Sequence, residues 1–207
     1  MLTILGRVTS INVRKALWTA DELGAPYEIE VWGQPHRDPD TPEFRALNPN
    51  AQVPVMRDGD FVLWESSAIV RYLMDKFGPG ELLPGDLETR ARAEQWFAWQ
   101  ATDLNGAWHP AVGALVRKTP GNYDPGQVSD SLRRWTAKMR IFEARLAQTG
   151  AFAAGAAFSF ADIPLGLSAH RWFGGDFERP DMPNVAAYYA RVKARRAAIA
   201  HFDPATP

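Results

Sequence analysis

The chain has 207 residues, 46% hydrophobic and 23% charged, enough to build one large globular domain or two small ones. A net charge of −1 excludes an overall field that recruits nucleic acid or an anionic membrane. Cysteine is absent, which excludes disulfides, thiolate metal sites and a protein-borne thiol nucleophile, so any sulfur chemistry must use a sulfur brought by a ligand.

Eight Trp and eleven Phe are many for this length, and they read first as core and second as the lining of an aromatic pocket. The opening MLTILGRVTS lacks the charged leader and apolar run of a signal peptide, and no stretch reaches 18 apolar residues, so the cytoplasm is the expected compartment.

Residues 2–5 form a short apolar run ended by Gly6, which predicts a strand. From Ile11 the spacing turns helical, with Val13, Ala16, Leu17, Ala20 and Leu23 recurring at three and four; Gly24 and Pro26 then stop the helix. A second strand is expected over 27–32, where Tyr27, Ile29 and Val31 alternate with Glu28 and Glu30. A proline-rich loop follows over 33–42, then a short helix over 42–47 and a turn at Asn48-Pro49-Asn50. Strands are expected over 53–56 and 61–64 around an Asp58-Gly59 hairpin turn, with a helix over 65–77. After a linker at 78–85 only helical stretches remain, near 87–117, 125–148, 160–173 and 183–197. The basic residues Arg191, Lys193, Arg195 and Arg196 read as the solvated face of the last one.

The first half thus predicts two parallel strands joined by a crossover helix, then an antiparallel hairpin, giving a mixed sheet between helices. The expected architecture is an α/β thioredoxin-like domain over 1–78 and an all-α domain over 86–207. His36, His109, His170 and His201 have no metal-type spacing, so no metal is expected.

Several residues have a physical reading of their own. Pro54 cannot donate a ladder bond and marks a strand edge or a special turn. Glu65 and Ser66 stand where a strand gives way to a helix, whose free N–H groups suit a carboxylate; plain capping is the alternative. Ser159-Phe160-Ala161-Asp162 is a capping-box pattern with Asp in the acidic position, and Phe158 and Ile163 are spaced as a hydrophobic staple, so Asp162 is assigned to stability. Thr9, Ser10 and Asn12 are the donors in the turn that opens the first helix.

Three segments, in order and at matching spacing, resemble the glutathione transferase superfamily. They are NPNAQVPV at 48–55 with ESSAIVRYL at 65–73, the hydroxyl-bearing turn VTSIN at 8–12, and FSFADIPLG at 158–166. The resemblance implies that Pro54 is cis and exposes the backbone of Val53 to the cysteinyl part of glutathione. Ser66 would hold the γ-glutamyl carboxylate, Glu65 its ammonium, and Gln52 the glycyl end or the cysteinyl backbone. Ser10 falls where serine-type transferases carry their serine, and Ser10-Ile11-Asn12 partly matches the Thr-Pro-Asn turn of nu-type enzymes. Ser10 and then Asn12 are the expected catalytic donors to the glutathione sulfur, with Thr9 a substitute; a Ser10 that merely caps the helix is the alternative. Trp108, His109 and Val112 are expected to wall a co-substrate pocket between the halves.

The implied function is a glutathione S-transferase that activates glutathione as a thiolate against a small hydrophobic electrophile. The same thiolate would serve a disulfide reductase or peroxidase, and a non-catalytic binding or scaffold protein with this fold is the rival of another class. A homodimer without nucleic-acid or membrane partners is the implied state.

Overall fold

The computed structural model describes residues 1–119, 121 and 123–203; the last four residues of the expected 86–207 domain lie outside them. The chain divides into two compact units, Met1–Gly80 and Glu81–Pro207.

The first unit is a four-stranded mixed sheet between helices. Its elements are β1 (Leu2–Leu5), α1 (Ile11–Glu22), β2 (Tyr27–Glu30), α2 (Pro42–Leu47), β3 (Val55–Asp58), β4 (Phe61–Trp64) and α3 (Ser66–Phe77). The strand order is β2-β1-β3-β4, with β1 parallel to β2 and antiparallel to β3, and β3 antiparallel to β4. This is the expected thioredoxin-like layout. The strand period of two splits the core between the faces. Leu2, Ile4 and Met56 pack with Val13 and Leu17 of α1 and with Ile69 and Leu73 of α3. Leu5 and Val55 point the other way, towards Trp32 and Phe44, whose rings lie 4.7 Å apart. Helix α1 ends as the sequence asks: Gly24 takes a φ of 63°, and Gly24 and Ala25 donate their N–H groups to the carbonyls of Asp21 and Ala20.

Two strand expectations need correction. β2 stops at Glu30, and of the apolar members of its alternation Tyr27 packs against the core while Ile29 is 40% and Val31 44% exposed. Strand β2 is an edge strand, and Trp32, beyond its end, fills the inner layer instead. Glu30 is half-buried and accepts from the Trp32 indole at 2.9 Å and from Arg37 and Arg57, so it occupies a polar niche rather than solvent. β3 runs 55–58 rather than 53–56, starting after Pro54, which has no N–H to give. The hairpin turn is then Gly59-Asp60, with Gly59 at a φ of 61°.

The second unit is helical, with no strand among the described residues: α4 (Leu87–Trp99), α5 (Asn105–Ala111), α6 (Pro125–Thr149), α7 (Asp162–Gly174) and α8 (Pro183–Lys193). The single helix expected over 87–117 is interrupted by π-helical segments at Gln100–Leu104 and Val112–Val116. Pro110 sits inside α5, and beside it the hydroxyl of Ser131 on α6 enters the helix ladder. It accepts from the Ala111 N–H at 3.3 Å and donates to the Ala107 carbonyl at 2.8 Å, the pair that would otherwise bond each other. The surplus of aromatics is mostly core: Trp135 packs on Trp108, Trp172 and Phe177, and Phe142 on Tyr188.

Asp162 is fully buried at the start of α7. Its carboxylate accepts from the N–H groups of Ala153 (3.0 Å) and Ser159 (2.9 Å) and from the Ser159 hydroxyl (3.0 Å). One half of the capping box is therefore altered: Ser159 donates its hydroxyl to the acid instead of accepting from a helix N–H. Burial pushes the Asp162 carboxyl up to about 6, against the downward pull of its hydrogen bonds. With the folded pKa above the unfolded one, its contribution is most favourable below about pH 4 and declines as pH rises through about 6. An Asp162→Asn variant cannot ionise. Denaturant melts should show the parent's stability relative to this variant falling by about 2 kcal/mol between pH 4 and pH 7; a constant gap would mean the carboxyl is not shifted.

Candidate functional site

Strand direction decides where the first unit opens. β4 is antiparallel to β3, which is antiparallel to β1, so β1 and β4 run the same way. Each hands the chain to a helix packed on the same face, α1 and α3, and both helices therefore begin at the same end of the sheet. Leu5, the last residue of β1, pairs with Val55, the first of β3, so Val53 and Pro54 arrive at that end too.

A cleft of about 310 Å³ opens there. It gathers Asn12, Gln52, Val53, Pro54, Glu65 and Ser66, all singled out in the sequence. Asn48, Asn50 and Trp64 line it as well, and sequence reasoning missed them as site residues. The Asn-Pro-Asn turn was the available signal, since a buried Asn organises a loop as often as it marks one.

The Val53–Pro54 peptide is cis. Asn48 shapes the loop that leads to it. Buried to 3% exposure, its amide donates to the Gln52 carbonyl at 2.7 Å, and its side-chain oxygen accepts from both the backbone and the side-chain N–H of Asn50 at 3.0 Å. Between them Ala51 takes a left-handed φ of 53°.

Glu65 is the N-cap of α3, with φ 74° and ψ 111°. A side-chain-bearing residue held there costs about 1–3 kcal/mol, and such strain concentrates at functional sites. Its carboxylate reaches the Ser67 N–H only at 3.4 Å and is exposed at the cleft. Ser66, 3% exposed, is the first helical residue, and no acid occupies the first turn of α3. The cap is thus the glutamate rather than the serine.

Ser10 is the N-cap of α1 by its backbone, its carbonyl accepting from the Arg14 N–H at 3.0 Å, but its hydroxyl makes no cap hydrogen bond. The alternative of a side-chain cap does not hold. No acid sits in the first turn of α1 either. Ser10 is half-buried and precedes by two residues Asn12, which lines the cleft; Ser10 is not itself a lining residue, and Thr9 is exposed. Trp108, His109 and Val112 belong to the helical unit. Trp108 and Val112 are buried, Trp108 with its ring edge-on to Trp135 at 5.7 Å, while His109 is exposed. Among the described residues no group of three or more His, Asp or Glu is placed to hold a metal ion.

Residues 9–76 match the model of the glutathione S-transferase N-terminal domain. The glutathione S-transferase GstB of Escherichia coli K12 is 34% identical over 199 residues, covering 95% of both chains. The chain belongs to the glutathione S-transferase family. Glutathione S-transferase 4 of maize (Zea mays) is 30% identical over 97% of this chain and 92% of its own. A theta-class glutathione S-transferase of Xanthomonas axonopodis pv. citri, solved with glutathione bound, superposes with a TM-score of 0.91 at 38% identity, over 99% of both chains. The family thus matches the thioredoxin-like and helical units together.

The cleft's loop depends on the Asn48 amide. Asn48→Ala leaves the Gln52 carbonyl and the Asn50 N–H without this partner, and equilibrium unfolding should show a loss of about 0.5–1.5 kcal/mol for each bond. A smaller loss would mean that water or a rearranged loop replaces the amide.

Proposed function

We propose that this chain is a glutathione S-transferase whose cleft binds glutathione and stabilises its thiolate for attack on a small hydrophobic electrophile. One observation carries the reading. A single cleft joins the start of α1, the Val53–Pro54 corner and the start of α3, offering a separate chemistry to each part of a γ-glutamylcysteinyl ligand.

The γ-glutamyl carboxylate takes Ser66 at the start of α3, where the helix end carries partial positive charge. The ammonium takes the Glu65 carboxylate. Val53 lies just ahead of the β3 ladder, and its backbone is available to the cysteinyl backbone as to an added strand. Gln52 is exposed at the cleft and reaches the cysteinyl backbone or the glycyl end.

The sulfur then lies towards α1. A free thiol of pKa about 8.5 is a few per cent thiolate at neutral pH, and lowering it by two units takes about 2.7 kcal/mol of preferential stabilisation. The Ser10 hydroxyl is uncommitted to the helix cap and can donate to S⁻; Asn12 offers an amide donor in the same turn. The N-terminus of α1 adds its dipole, and a chain with no cysteine has no thiol of its own to compete. The thiolate attacks the electrophilic carbon, the new bond is C–S, and the leaving group departs with the bonding pair. A homodimeric assembly belongs to the same proposal. Among the described residues no helix is long and apolar enough to cross a membrane.

Thiolate absorbance of the bound glutathione tests the mechanism. The parent should titrate below free glutathione, and Ser10→Ala should move the pKa back towards the solution value, with turnover falling more than binding. Asn12→Ala should act in the same direction. If both variants titrate like the parent, neither residue activates the sulfur, and Thr9 or the helix end takes the role.

Glu65 yields a second expectation, of opposite sign for stability and function. Glu65→Gly relieves the positive φ while removing the carboxylate. Thermal melts should show no loss of stability, because the relief of about 1–3 kcal/mol outweighs the 0.5–1 kcal/mol entropic cost of glycine. Calorimetry should show glutathione binding weakened at least tenfold. Intact binding in this variant would remove Glu65 from the ligand site.

A further inference from the structure

The helical unit contains a second cavity, of about 600 Å³, that glutathione chemistry leaves unused. Its floor is one stripe of α6, where Ser129, Leu132, Arg133, Thr136, Ala137 and Arg140 recur at the three- and four-residue spacing of a single helix face. Another face of α6, carrying Trp135, Met139 and Phe142, is buried. The wall is the segment of Glu178, Arg179 and Pro180. That segment is anchored from behind. Arg179 donates to the carbonyls of Trp172 at 2.7 Å, Phe173 at 3.3 Å and Gly175, and the adjoining Phe177 ring packs on Trp135 and Trp172 at 5.4 and 5.2 Å.

Two guanidinium groups of the floor are open to a ligand. Arg140 is exposed and makes no hydrogen bond or ion pair among the described residues. Arg133 pairs with Asp130, but Arg134 holds the same carboxylate at 2.9 Å. A surface pair of this kind is worth little, and Asp130 keeps Arg134 when Arg133 turns to a ligand. Glu178 is the one acid in the lining, so an anionic ligand gains nothing from a charge beyond those the two arginines take. Arg133 and Arg140 stand seven residues apart, two turns along one face, which separates their Cα atoms by about 10.5 Å along the axis. Between them lie the Thr136 hydroxyl and the methyl group of Ala137. A guanidinium presents a fork of donors that fits a carboxylate two bonds at a time. We infer that this cavity binds an extended organic dicarboxylate, one carboxylate on Arg133 and the other on Arg140, with an uncharged chain over Thr136 and Ala137.

Titration calorimetry on the full chain at low salt tests this with three probes. Nonanedioate, extended, matches the spacing of the two arginines; nonanoate carries one carboxylate; butanedioate is too short to reach both. Nonanedioate should bind more tightly than either of the others by about tenfold or more. Arg133→Gln and Arg140→Gln should each bring it down to about the level of nonanoate, and both side chains are exposed, so the variants keep the fold. Ala137→Trp, which fills the cavity and leaves both arginines in place, should weaken nonanedioate by a similar factor. Saturating glutathione should leave its affinity unchanged, since the cavity is lined by the helical unit and the glutathione cleft by the first unit. Equal affinity for the three probes, indifference to the arginine variants, or displacement by glutathione would each overturn the inference.

Discussion

Because β1 and β4 run in the same direction and each passes the chain to a helix on the same face of the sheet, α1 and α3 start beside one cleft and turn their unpaired N–H groups towards it. Everything proposed for the ligand depends on that convergence. Two helix ends concentrate positive potential where a carboxylate and a thiolate are to be held; neither first turn contains an acid, while the Glu65 cap of α3 sets a negative charge beside the second. The antiparallel β3 brings the Val53–Pro54 corner to the same place, since its first residue pairs with the last of β1. The cleft is a consequence of connectivity before it is a matter of side chains.

In the helical unit, charged side chains tie loop backbone and helix ends to their neighbours. Asp162 gathers the backbone of Ser159 and Ala153 at the head of α7, and Arg179 collects the carbonyls of Trp172, Phe173 and Gly175 at its tail. At the start of α8, which has no side-chain cap of its own, Glu143 reaches across from α6 to the N–H groups of Asn184 (3.1 Å) and Val185 (2.8 Å) and to the Asn184 amide (2.6 Å). Asp162, Arg179 and Glu143 therefore fix α7 and α8 against their neighbours through charge-assisted hydrogen bonds.

Much of this was legible in the sequence because the relevant signals are local. Pro26 after Gly24 and the spacing of Ile69, Val70, Leu73 and Phe77 each fix an element by backbone chemistry or helical period. The site residues followed from motif spacing, and the cleft brings Asn12, Gln52, Val53, Pro54, Glu65 and Ser66 together. What could not be read depends on packing and backbone conformation that no local pattern announces. The outward Ile29 and Val31 reflect an edge strand whose inner layer is completed by Trp32 and Phe44. Asn48 looks like an ordinary turn residue until its amide is seen bridging Asn50 and Gln52. The strain at Glu65 leaves no trace in composition, since glycine rather than glutamate is the residue that a positive φ announces.

The broken helix around Pro110 shows how far a single hydroxyl can reach. Ser131 lies on another helix, 20 residues along the chain from Ala111, yet it completes the rung that α5 leaves open. The two positions are bound together in sequence space. A serine lost from α6 while the proline remains strands a buried donor and acceptor; a proline lost first allows the rung to close on itself and makes the serine dispensable.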